Sequence, residues 1–128
     1  MAMSHQSNPV RARYGLIIPS SNRMAEPHAW RYRPAGVQPH ITRLRMTGPH
    51  AMKPEDLLPT IGDAAAMLAD AKCDSVVFHC TANSMAGGVA GNDRITDAVA
   101  QATGGKATTT AGATLAALAH LGASRIVV

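Results

Sequence analysis

The residues best equipped for chemistry in this sequence are Cys80 and the hydroxyls and amides that follow it. In Ser75-Val76-Val77-Phe78-His79-Cys80-Thr81-Ala82-Asn83-Ser84-Met85-Ala86-Gly87-Gly88 a short apolar run passes into a polar, glycine-ended stretch. That is the pattern of a buried strand running into a loop. Cys80 falls where the strand should end. A thiol there can serve as nucleophile or base, because a polar loop and the dipole of the next helix favour a thiolate. The competing reading is a small buried residue at a strand end, since free cysteines are so often buried. Two further stretches, Pro19-Ser20-Ser21-Asn22 and Thr108-Thr109-Thr110, carry the same kind of polar groups. Taken singly, Ser, Asn and Thr at such places are helix caps. Gathered round a cysteine, they are donors able to hold a carboxylate beside a thiol.

For that gathering to occur, each stretch must leave the carboxyl end of a strand, where open α/β sheets bind ligands. The chain reads in that way. Residues 1–12 form a flexible lead-in, and Tyr14-Gly15-Leu16-Ile17-Ile18 is a first strand ending at Pro19. Ser20-Ser21-Asn22 then caps a helix over residues 24–33, which Pro34-Ala35-Gly36 stops. Residues 37–46 loosely alternate, and Pro39 within them is tolerated only on an edge strand. Pro54 opens a helix to about residue 71, with Leu57, Ile61, Ala65 and Leu68 at helical spacing and an irregular start at Pro59. After the Cys80 strand comes a helix over 92–102 with Ile95, Val99 and Ala102 inward, ended by Gly104-Gly105. Lys106-Ala107-Thr108-Thr109-Thr110 reads as a loop capping a helix over 111–121, packed through Leu115 and Leu118 and closed by Gly122. Arg125-Ile126-Val127-Val128 reads as the start of another buried strand. Such alternation specifies an α/β fold, a parallel sheet with helices on both faces. Residues 13–128 are then one domain ending within a strand. A strand apolar on both sides needs cover: either the chain is shortened or a partner covers this edge, and a homo-oligomer is expected.

Composition narrows the function classes. Of 128 residues, 46% are hydrophobic and 16% charged, the balance of a globular domain and not of a disordered chain. Aromatics at 3% argue against a base-stacking platform. The net charge of +4 is uneven: Arg11, Arg13, Arg23, Arg31, Arg33, Arg43 and Arg45 precede Lys53, and Glu26 is the sole acid before Glu55. Such a basic third suits nucleic acid, an anionic small molecule or solvent. No nucleic-acid motif accompanies it, so no nucleic-acid partner is expected. Cys73 and Cys80, if joined by extended chain, lie roughly 20 Å apart at about 3.3 Å per residue, too far for a disulfide. Free thiols suit a reducing cytoplasm. The first nine residues lack the apolar core of a signal peptide, and no run is long enough to span a membrane. The expectation is a soluble, cytoplasmic protein with no membrane partner.

Ile18-Pro19-Ser20-Ser21-Asn22, then Glu26-Pro27, then His40-Ile41-Thr42-Arg43, resembles the opening of maleate cis-trans isomerases and their relatives in the aspartate/glutamate racemase superfamily. The stretch from Asp74 to Ser84 resembles that family's first cysteine loop. Thr108-Thr109-Thr110, with Ala116-Ala117-Leu118 through Arg125-Ile126, resembles its next segment. The likeness runs in order from about Tyr14 to Val128. It implies a flavodoxin-like half of a two-domain fold with the site between the halves, and this chain covers the N-terminal half. It also implies catalysis without cofactor or metal, by one cysteine from each half flanking a substrate carbon. Cys80 matches the first cysteine, acting as nucleophile in isomerases or as base in racemases. Asn22 matches a carboxylate ligand, and Ser21, Thr81, Ala82, Asn83, Ser84, Thr109 and Thr110 fall in the segments that hold a small dicarboxylate substrate. Arylmalonate decarboxylases resemble the chain in the same segments but have glycine where Cys80 stands, which favours isomerase or racemase. The second cysteine of the family would lie beyond Val128.

Four neighbouring residues carry less weight. His79 adjoins Cys80, but successive strand residues face opposite ways, so it reads as a core or helix-facing histidine. Arg43 could reach an anion or join a surface ion pair. Glu26 reads as a first-turn acid favouring a helix dipole, and Cys73 as packing.

Overall fold

The apolar run at residues 14–18 forms the middle of β1 (Ala12–Pro19), which is hydrogen-bonded to a strand on each side. The structure is a computed structural model and describes residues 9–46 and 52–127. After β1 come α1 (Ala25–Tyr32), β2 (Val37–Leu44), α2 (Pro54–Asp70), β3 (Ser75–Phe78), α3 (Thr81–Ala86), α4 (Gly88–Thr103), β4 (Lys106–Thr109) and α5 (Thr110–His120). The four strands make one parallel sheet in the order β2-β1-β3-β4. This is an α/β fold with the strand order of a flavodoxin-like domain. Pro39 sits on β2, the edge strand, the place in a sheet where a proline is tolerated.

Side-chain alternation assigns the faces. Gly15 lies beneath α2 so closely that a Cβ there would stand 2.7 Å from Leu68 Cδ1. Tyr14, one residue earlier and therefore on the other face, donates its hydroxyl to the Ala29 carbonyl of α1 at 3.3 Å. Helices thus cover both faces. The main core lies on the α2 side, where Ile17, Leu44, Val76 and Phe78 of the strands meet Leu57, Ile61, Ala65 and Leu68 of α2 and Ile95 and Val99 of α4. Both helical stripes are those expected from the 3.6-residue spacing. Burying Phe78 completely contributes about 2–3 kcal/mol of hydrophobic free energy.

Several expectations are corrected. Thr81–Ala86 is a short helix and not a loop, and α4 begins at Gly88 instead of residue 92. Gly88, at φ +59°, makes the turn between the two helices, a conformation that suits glycine. Lys106–Thr109 is a strand, because pairing with β3 (Val76 opposite Ala107, Phe78 opposite Thr109) overrides the weak preference of a short polar segment. Leu115 does not pack α5 against the sheet: it is 59% exposed, while Leu118 is partly buried. Arg125–Val127 pair with no strand among the described residues, and Ile126 and Val127 are exposed. Within the expected lead-in, the Arg11 and Ala12 N–H groups both donate to the Gly36 carbonyl and Ala12 opens β1. Residues 1–8 and Val128, to which other parts of these expectations refer, lie outside the described residues.

Candidate functional site

Cys80 is delivered by β3 and held by α3. Past Phe78 the His79 N–H still donates to the Ile17 carbonyl at 2.8 Å, which carries the sheet pairing one residue further. Cys80 is extended (φ −147°, ψ 104°) and is the N-cap residue of α3, its carbonyl accepting from the Ser84 N–H at 3.0 Å. The thiol is partly buried against the core. Asn83 Nδ2 donates to Cys80 Sγ at 3.2 Å, and Asn83 Oδ1 accepts from the Met52 N–H at 2.9 Å. Thr81 and Ala82 are exposed on the first turn, where helix geometry leaves N–H groups without intrahelical partners. Cys73 and Cys80 are both free. Burial and the neighbouring Asp74 push the Cys73 thiol up, against a smaller opposite effect of Arg13.

Register places the other two stretches on the same rim. Ile17, Phe78 and Thr109 lie side by side across β1, β3 and β4, with adjacent strands about 4.8 Å apart. The residues that follow, Pro19–Asn22, His79–Ala82 and Thr110, therefore emerge along one edge. Asn22 Oδ1 accepts from the N–H groups of Met24 (3.0 Å) and Ala25 (2.9 Å), capping α1 as the sequence suggests. That use of the oxygen leaves Nδ2 as a donor. Ser21 is exposed, and its hydroxyl donates to the Met46 carbonyl at a long 3.5 Å. Arg43 clasps this loop. Its Nη1 donates to the carbonyls of Ser20 (3.2 Å) and Asn22 (2.7 Å), and its Nη2 meets Glu26 Oε2 at 2.8 Å. Both earlier readings of this pair, a first-turn acid and an ion-paired arginine, agree with the contact.

Three of the expected ligand residues are engaged within the protein. Ser84 is fully buried, donating to the Thr81 carbonyl at 3.1 Å and accepting from the Ala111 N–H at 3.3 Å, so it ties α3 to α5. Thr109 is also fully buried. Its hydroxyl donates to Asn92 Oδ1 and accepts from the Gly112 N–H at 3.0 Å as the cap of α5. Asn83, 6% exposed, is occupied by Cys80 and Met52. The rim itself presents Cys80, Asn22, Ser21, Thr81, Ala82 and the half-buried Thr110. His79 Nδ1 lies 3.4 Å from Thr110 Oγ1. Sequence reasoning missed Asn92 and the Met52 N–H, both distant in sequence from the groups they serve.

A pocket of about 110 Å³ lies between α2 and the α3–α4 junction, lined by Met52, Leu57, Asn83, Gly87, Arg94 and their neighbours. Cys80 does not line it. Among the described residues no group of three His, Cys, Asp or Glu side chains is placed to hold a metal ion. No described helix is long and apolar enough to cross a membrane.

The fold has solved counterparts. A maleate cis-trans isomerase from Nocardia farcinica, a cysteine-to-serine mutant with a covalently bound succinylcysteine intermediate, is 30% identical with a TM-score of 0.68. It is matched over 87% of this chain and 49% of its own. The maleate isomerase Iso from Pseudomonas putida S16, in a cysteine-to-alanine form with maleate, is 25% identical with a TM-score of 0.70 over 87% and 49%. A glycine-to-cysteine mutant of arylmalonate decarboxylase is 26% identical with a TM-score of 0.69 over 86% and 47%. This is one half of the fold of the maleate isomerase and arylmalonate decarboxylase group. The chain spans about half the length of the structures it matches, consistent with their N-terminal half. No family model and no curated protein matches the sequence.

Proposed function

We propose that this chain is the Cys80-bearing half of a cofactor-independent isomerase of a small dicarboxylate of the maleate type. The observation that supports it most is the placement of Cys80 at the carboxyl end of a central strand, with its sulfur hydrogen-bonded and with Asn22 and Thr110 on the same rim. In this reading the Cys80 thiolate adds to one alkene carbon, and the displaced electron pair moves to the neighbouring carbon beside a carboxylate. The former double bond is now single and rotates. Return of the electron pair expels the thiolate and leaves the trans product. A proton taken up by the intermediate is surrendered before that return, so the net change is geometric and no external electron acceptor is consumed. Asn22 Nδ2, the N–H groups of Thr81 and Ala82 and the hydroxyls of Ser21 and Thr110 hold the carboxylate oxygens. Charge-assisted bonds of this kind are roughly twice as strong as neutral ones.

The proton-handling group on the opposite face, by resemblance a second cysteine, belongs to a second half. A racemase would use Cys80 as base at the same place. Decarboxylation of a substituted malonate is disfavoured, because by resemblance Cys80 replaces the decarboxylases' glycine. A third reading is a domain that binds anions without turnover. Incubation with maleate and with phenylmalonate, following fumarate by NMR and carbon dioxide by trapping, tests these alternatives. Loss of maleate binding in the Asn22→Ala chain supports the site. Carbon dioxide from phenylmalonate, or maleate binding untouched by Asn22→Ala, sinks the isomerase reading.

A further inference from the structure

We infer that Asn83 is a positioning residue for the Cys80 sulfur, its amide locked by the Met52 N–H so that Nδ2 must donate to Sγ. Shape alone does not separate the oxygen and nitrogen of a carboxamide, but partners do. The Met52 N–H is only a donor, so the atom 2.9 Å from it must be the acceptor Oδ1. The remaining atom, Nδ2, then faces sulfur at 3.2 Å. Turning the amide over would set two donors against each other in a site that is 6% exposed, a loss without water to compensate it.

Asn83 stands three residues beyond the N-cap of α3, where a capping-box side chain ordinarily reaches back to the N-cap backbone. Here it reaches the N-cap side chain instead. A donor held in this way fixes where the Cys80 sulfur sits and which way its lone pairs face an incoming group. The Met52 N–H comes from the segment leading into α2, which makes the thiol sensitive to how that segment is seated.

The inference rests on Cys80 as the reacting group of the proposed site, yet its test needs no substrate. Iodoacetamide alkylation of Cys80 and Cys73 is followed by mass spectrometry at one neutral pH in the wild-type, Asn83→Leu, Asn83→Asp and Met52→Pro chains. Asn83→Asp keeps an acceptor for the Met52 N–H and replaces the donor to sulfur with a carboxylate oxygen. Met52→Pro removes the N–H that orients the amide and leaves Asn83 in place. Alkylation of Cys80 is expected to slow about threefold to tenfold in Asn83→Leu and Met52→Pro, and further in Asn83→Asp, as the hydrogen bond to sulfur is lost. The Cys73 rate stays constant and serves as the gauge of folding. Cys80 rates within twofold of wild type in Asn83→Asp and Met52→Pro overturn the inference, as does a parallel change at both cysteines. Should Asn83→Leu unfold, those two chains decide alone. A thiol governed by Asn83 in a protein that binds no dicarboxylate would sink the isomerase reading and leave this one standing.

Discussion

At the scale of single residues, the two cysteines separate by environment. Cys73 is held up by burial and by Asp74, so less of it is thiolate at neutral pH and its alkylation accelerates only as pH rises. Cys80 has a donated hydrogen bond and a place at a helix start. Limited alkylation at neutral pH is expected to modify Cys80 well before Cys73, and equal rates would count against a reactive thiol on this rim. Asn22 invites a sharper experiment because its two side-chain atoms do different things. Oδ1 caps α1 and Nδ2 is left for a ligand. Asn22→Asp keeps a good cap but turns the donor into an anion facing the substrate carboxylate. Maleate affinity, by calorimetry or NMR titration, should fall about tenfold or more, the worth of one bond to a charged group. Thermal stability should hold. Asn22→Ala should lose both affinity and about 1 kcal/mol of stability, and equal affinity in the wild-type and Asp chains would remove Asn22 from the site.

At the scale of elements, the sequence was most legible where one periodicity served one face. The stripes of α2 and α4, the apolar runs of β1 and β3 and the edge position of β2 all follow from local pattern and from Pro39. Legibility failed where a partner distant in sequence decided. Lys106–Thr109 has little strand character and becomes a strand through β3. Thr81–Ala86 becomes a helix whose Ser84 is bonded to Ala111. In the candidate site, the placement of Cys80 and Asn22 just beyond strand ends was readable from residue types. Which hydroxyls are turned inward to hold the fold was not. Thr109 illustrates this, being fully buried between Asn92 and Gly112. Thr109→Val should therefore destabilise the fold by about 2 kcal/mol, through a lost cap and a part-buried Asn92 carboxamide oxygen left without its donor. Urea unfolding measures this, and a change below about 0.5 kcal/mol, typical of a surface site, would return Thr109 to the ligand list. Gly15→Ala should cost about 1–3 kcal/mol by overpacking, since its Cβ would stand 2.7 Å from Leu68 Cδ1.

At the scale of the molecule, the apolar surface of α5 and the residues after it is uncovered: Leu115, Leu121, Ile126 and Val127 are all more than half exposed. Exposed apolar patches and unpaired chain next to a sheet invite association. The chain is expected to form a dimer or larger oligomer at micromolar concentration, which light scattering reads directly, and a stable monomer would refute it. Association bears on turnover. Isomerisation by the proposed route needs a group on each side of one carbon, and misplacement by about 1 Å can cost a hundredfold. This chain provides Cys80, Asn22 and the rim donors, and the relatives are about twice its matched length. A two-fold dimer could bring a second Cys80 opposite the first only if a self-complementary interface reproduced the arrangement of two unlike halves, a demanding condition for one surface. The expected outcome is weak dicarboxylate binding with little turnover by this chain, and full turnover when a second half is joined to it or added in trans. Maleate-to-fumarate conversion is compared for the chain, its Cys80→Ala variant and the chain joined to a second half. Robust conversion by the chain alone, abolished by Cys80→Ala, would mean that self-association completes the site and that a separate second half is unnecessary.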